Sequence, residues 1–117
     1  MRCRDLGGLS NELLHDSTVA ACARERESTV DVVRHFIEVE RRKLYLLRAC
    51  STLMVYAQKL GFTYDEAKKR VKVARLAVVI PQVFEELEQE RIRLTGLCLL
   101  ARCLTSMNAP GLLAAAR

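Results

Sequence analysis

The chain has 117 residues, half of them hydrophobic, and a net charge of +5, which suits one domain with a core of its own. With three Phe, three Tyr and no Trp, that core must come mostly from Leu, Val and Ala, the composition of packed helices rather than of a sandwich or barrel. The longest apolar runs are about five residues, against the roughly 20 of a membrane span, and "MRCRDLGGLSNELL" lacks the apolar centre of a secretory signal, so neither is expected.

Residues 1–8 read as a flexible N-terminal segment. Nowhere in the chain does strand-like alternation persist, and helical spacing recurs throughout. The first helix is predicted from after Ser10 to about Arg26, with Leu13, Leu14 and Ala21 as its buried side. Ser28 or Thr29 then caps a second helix, with Asp31 in a first turn that favours negative charge. Its apolar stripe is Val30, Val33, Ile37 and Leu44, widened by Val32, Phe36 and Val39. A third helix begins after Ser51 and ends at Gly61, where a terminating glycine belongs. "TYDE" follows, and Thr63 with Glu66 fits the reciprocal capping box of a fourth helix. That helix turns Ala67, Val71, Ala74 and Val78 inward. Pro81 starts a short fifth helix over 81–90, with Val83, Phe84 and Leu87 inward and the glutamates outward. Thr95 caps a sixth, "GLCLLARCL", whose one charge is Arg102, and which is expected to be central. "SMNAPGLLAAAR" reads as the start of a further short helix. The fold class is therefore all-α, a bundle of about six helices around the apolar 96–104 segment.

Charge is segregated along neighbouring segments. Residues 63–77 carry Lys68, Lys69, Arg70, Lys72 and Arg75 against Asp65 and Glu66, net +3, whereas residues 82–90 carry four glutamates and no cation. The basic segment is the second part of a helix-turn-helix-like junction at 52–77. Ala57, Gly61 and Ala67 have the motif's spacing, and Tyr56, Leu60 and Phe62 are apolar where it packs. Thr63, Tyr64, Lys68, Lys69, Lys72 and Arg75 are the candidate DNA-contacting residues, placed as a recognition helix places its base and phosphate contacts. A structural hairpin with a solvated basic face uses the same pattern. Asp65 and Glu66 in the first turn would repel phosphates there.

Catalytic and metal signals are weak. The only histidines are His15 and His35, and His35 lies beside the apolar stripe of its helix, as a packed or half-exposed imidazole does. There is no HExxH, no Gly-rich phosphate loop and no spaced Cys–His pair. Five cysteines, at 3, 22, 50, 98 and 103, form neither a disulfide framework nor a zinc-ligand spacing; they read as buried free thiols in a reducing cytoplasm. No cofactor, no metal and no enzymatic activity are expected.

Taken together, "LSNELL", "ARERESTVDVVRHFIEVERRKLY", "STLMVYAQKLGFTYDEAKKRVKVARLA", "IPQVFEELEQERIRLTGLCLLARCLT" and "NAPGLLAAAR" resemble, in order and spacing, the helical N-terminal region of bacterial, myxobacterial-type HNH endonuclease-like proteins. The resemblance covers about nine-tenths of the chain, from Leu9 to Arg117. Where several members have "GYSS", this chain has "RACS" at 48–51. The family's nuclease domain lies further C-terminal and holds its metal with clustered histidines and an asparagine. This chain stops near where the linker toward that domain would begin, so no catalytic residue carries over. What the resemblance implies is a non-catalytic accessory module of DNA-acting proteins, binding duplex DNA through the basic helix 63–75. The alternative is a protein-interaction or homo-oligomerisation module, in which the acidic 85–90 face meets the basic 68–75 face of another copy or partner.

Overall fold

A single helix, α1, runs from Asn11 to Arg42 in the computed structural model, which describes residues 6–117. Part of the predicted flexible segment, residues 1–5 with Cys3, lies outside the described residues. After α1 come a 3-10 helix at Leu44–Arg48, then α2 (Leu53–Lys59), α3 (Tyr64–Val79), α4 (Gln82–Glu88), α5 (Leu94–Leu100) and α6 (Ala109–Ala116). No strand occurs among the described residues, and none of their helices is long and apolar enough to cross a membrane.

The continuity of α1 corrects the two-helix expectation. Ser10 does cap it, accepting from Leu13 N at 3.2 Å. Thr29, however, is no cap: its hydroxyl donates back to Glu25 O at 3.1 Å, as Thr18 does to Leu14 O at 2.8 Å. A hydroxyl satisfied on the preceding turn leaves the helix intact. Nor does any Gly or Pro interrupt residues 11–42, and Ala, Arg and Glu at 20–27 are good helix formers. Lys43, in the left-handed conformation at φ 53°, ends the helix with its N–H on Glu40 O at 3.2 Å.

The inward face of α1 also differs from expectation. Leu13 and Leu14 are 57% and 38% exposed, and no residue of α1 before Val33 is buried. Only Val33 and Phe36 reach the core fully; Val30, Val32, Ile37 and Val39 are half-buried against it. The body of the protein packs on the second half of α1, so the first half projects with apolar side chains in solvent.

The centre is α3 rather than the 96–104 segment. It contacts α1, α2, α4 and α5, and buries Ala67, Val71, Val73, Ala74 and Ala77. Val78 is only half-buried, and Val73 and Ala77 are buried in addition to the predicted stripe because α3 has neighbours on several sides. Within α5 only Leu97 is fully buried, while Leu99 is 76% exposed. Its cap position is Arg93, in extended conformation, not Thr95. Each fully buried Leu or Val, such as Leu53, Leu97, Leu113 and Val73, contributes about 1.5–3 kcal/mol by leaving water.

The caps and the turn into α3 are as the sequence indicates, but Leu60, expected on the packed side, is 59% exposed. Thr52 caps α2, accepting from Val55 N at 3.2 Å. Gly61 has φ +113°. Thr63 Oγ1 accepts from Glu66 N at 3.3 Å, and Glu66 Oε1 accepts from Thr63 N at 2.9 Å. Phe62 in the turn packs edge-on against Phe36 of α1, ring centres 5.9 Å apart, which ties the junction to the long helix. Pro81 forces Ile80 out of helical geometry, to φ −124° and ψ 87°, and so separates α3 from α4.

Space is free around Gly61, so its requirement is conformational only. Gly61→Val should therefore lower the melting temperature, at a cost of about 1 kcal/mol or more. An unchanged thermal melt would show that the turn does not depend on this backbone geometry.

Candidate nucleic-acid interface

The capping box fixes where α3 starts and hence which way its polar residues face. Thr63 is itself the cap, and Tyr64 after it is 58% exposed, with Lys68 Nζ 5.8 Å from the centre of its ring. Lys68, Lys69 and Lys72 are all exposed. Arg75, one turn on, is engaged elsewhere: its Nε lies 3.6 Å from Glu40 Oε1 of α1, a buried atom without a hydrogen-bond partner among the described residues. Arg70 turns away from the ridge, donating to Glu66 O at 3.0 Å and stacking over Phe62 at 5.3 Å. The structure thus sets Lys68, Lys69 and Lys72 along one groove, and Arg75 lies outside its lining.

These three lysines, with Asp65, form one wall of a groove of about 280 Å³. Its other wall is α5 and the turn after it, supplying Thr95, Cys98, exposed Leu99 and Arg102. Cys98 Sγ lies 3.5 Å from Lys69 O, which sets α5 against the middle of α3. Burial pushes the Cys98 thiol up, and nearby Lys72 and Lys69 oppose that. The α5 side of this groove is absent from the sequence-predicted site. One signal for it existed: Arg102 is the lone charge in an otherwise apolar run.

At the start of α3 two carboxylates behave differently. Glu66 is held below the usual glutamate range by the Thr63 backbone N–H and then by its hydroxyl, so it belongs to the cap. Asp65 faces the groove and subtracts from its positive charge.

The acidic segment proves to be internal cement more than a free face. Glu86 was expected outward but is 3% exposed. Arg91 donates to its two oxygens at 3.2 and 2.8 Å, and Arg117 at 2.8 and 2.9 Å. Two guanidinium forks on one carboxylate satisfy it well enough to be buried. Glu88 accepts from Arg34 at 3.1 Å and Glu90 from Arg26 at 2.9 Å, both on α1. The cleft between α1 and the end of α4 is lined by charges of both signs, Arg24, Glu27, Asp31, Arg34, Glu88 and Glu90.

Among the described cysteines only Cys50 is buried; Cys98 is half-buried, and Cys22 and Cys103 are exposed, which corrects the expectation of buried thiols. His35 is exposed, its Nδ1 2.7 Å from Asp31 O. Among the described residues no group of three His, Cys, Asp or Glu side chains could hold a metal ion. Comparison of the chain with models of protein families, with curated proteins and with solved structures finds no match.

The hydrogen bonds of Arg117 and Arg91 bring Glu86 from the usual 4.5 down to about 2. Its folded pKa lies below its unfolded one, so its stabilisation is present above about 4.5 and is lost as pH falls toward 2. Glu86→Gln should be less stable than wild type at neutral pH by about 2 kcal/mol. That gap should close between pH 4.5 and 2. Denaturant midpoints measured across this range check it; a pH-independent gap would refute the charged clamp.

Proposed function

We propose that this chain is a non-catalytic, DNA-binding accessory module of the cytoplasm that contacts backbone phosphates through the basic helix 63–75. The carrying observation is the set of exposed lysines Lys68, Lys69 and Lys72 on one side of α3, none with an acidic partner among the described residues. Supporting it are Ala57 and Ala67, both fully buried, and the positive φ of Gly61, at the spacing a helix-turn-helix uses. The resemblance to the N-terminal region of HNH endonuclease-like proteins points the same way, toward a module that accompanies a nuclease rather than being one. Phosphates would supply most of the affinity, so binding is salt-sensitive and only loosely sequence-specific. Asp65 and the committed Glu66 argue against base reading by the first turn of α3.

The protein-interaction alternative draws less support from the acidic face, since Glu86, Glu88 and Glu90 are taken up by Arg91, Arg117, Arg34 and Arg26. Its better support is the exposed apolar first half of α1, with Leu13 and Val19 57% and 52% exposed.

Two measurements test the proposal. Duplex affinity should fall with salt at a log–log slope of about −0.9 per phosphate contact. Lys68→Ala, Lys69→Ala and Lys72→Ala combined should weaken binding to all sequences, flatten that slope and leave the melting temperature unchanged. No duplex binding at low salt, or equal binding by the triple variant, would replace the DNA reading with the protein-interaction one. Separately, the chain should not cleave plasmid DNA with Mg, Mn, Ni or Zn, for its two histidines lie twenty residues apart on the exposed side of α1. Metal-dependent cleavage abolished by one substitution in this chain would overturn the non-catalytic assignment.

A further inference from the structure

Lys68, Lys69 and Lys72 reach the α3–α5 groove from one side and Arg102 reaches it from the other. Like charges crowded around one groove repel, and folding offers them ways out: Arg26, Arg34, Arg75 and Arg91 all lie within 4 Å of a carboxylate. The four groove cations have no such partner among the described residues. Asp65 is the one carboxylate lining the groove among the described residues, so four cations there face a single negative charge. Lys69 and Lys72 line the groove beside Cys98, whose Sγ lies 3.5 Å from Lys69 O. The volume of about 280 Å³ corresponds to about nine waters of liquid, room for a phosphodiester with its hydration. An arginine fork and lysine point charges are the donors that such an anion takes.

We infer that this groove seats one backbone phosphate of a DNA duplex, held by Lys69, Lys72 and Arg102 with the Thr95 hydroxyl as a neutral donor, and that Arg75 takes no part. The inference rests on the DNA-binding reading and alters which residues carry it: α5 joins the site and the far end of α3 leaves it. Arg75 is excluded because its charge is needed by Glu40, whose Oε1 is buried with no hydrogen-bond partner among the described residues. The duplex then lies across α3 and α5 and crosses the two helices at Cys98, instead of running along α3.

Fluorescence anisotropy with a short random-sequence duplex, read as a function of salt, tests this. Arg102→Gln should weaken binding several-fold at low salt and lower the log–log slope by a part of the about 0.9 that one phosphate contact contributes. Lys72→Gln should do the same, which keeps the test open if either variant folds poorly. Arg102→Lys should retain the slope. Arg75→Gln, and Arg48→Gln as a charge-matched change at an exposed site away from the groove, should leave the slope at the wild-type value. A wild-type slope in both Arg102→Gln and Lys72→Gln, or an equal loss in Arg75→Gln or Arg48→Gln, overturns the inference while leaving the DNA reading in place. No binding by the wild-type chain overturns both. Displacement of the duplex by polyglutamate as readily as by unlabelled duplex would assign the groove to an acidic protein and likewise overturn the inference.

Discussion

The close approach that Ala67, Ala74 and Ala77 permit on α3 is the constraint on which the other elements depend. Three of the five buried residues of this helix are alanines, and the other two are valines. Short side chains let α1, α2, α4 and α5 all pack against one 16-residue rod, each from its own side. Bulkier residues there would push some neighbour away, and the groove between α3 and α5 would lose its walls. The same rod carries its lysines on the strip no neighbour covers. Core and candidate site are thus opposite faces of one helix, and its start, set by Gly61 and Thr63, determines which residue lands on which face.

Much of this was legible in the sequence where local chemistry decides the outcome. The Gly61 turn, the Thr63–Glu66 box, the break at Pro81 and the final helix rest on interactions within a few residues, and they appear where the residues placed them. The single continuous α1 was hidden because Ser28 and Thr29 can either cap a new helix or bond back within an old one. Only the packing that follows chooses between them. The central role expected of 96–104 failed for a related reason. An apolar run such as "GLCLLARCL" reports that something can be buried, whereas the amount buried depends on how many neighbours arrive. In this fold they arrive at α3.

The candidate site was half legible. Helical periodicity collected Lys68, Lys69 and Lys72, and it collected Arg75 with them because periodicity knows nothing of Glu40 thirty-five residues earlier. Arg102 and Thr95 enter only through tertiary packing. Glu86 shows the same limit from the opposite side. A glutamate among glutamates reads as solvated, yet Arg91 and Arg117, five and thirty-one residues away, make its burial tolerable. Long-range ion pairs leave no trace in local spacing.

The projecting half of α1 gives one helix two stabilities. Its 32 residues span about 48 Å, close to the 51 Å longest dimension of the described chain. Amides from Val33 onward are protected by the whole core, and their exchange with deuterium requires the protein to open. Among the described residues, α1 before Arg26 buries no side chain and makes no ion pair to the body, so its amides rest on the helix ladder, whose opening costs far less. Hydrogen exchange will therefore cut this continuous helix in two at Arg26–Glu90, the first ion pair that anchors it to the body. Fraying that starts at Asn11 would then set how much of Leu13, Leu14 and Val19 stays displayed as an ordered apolar stripe.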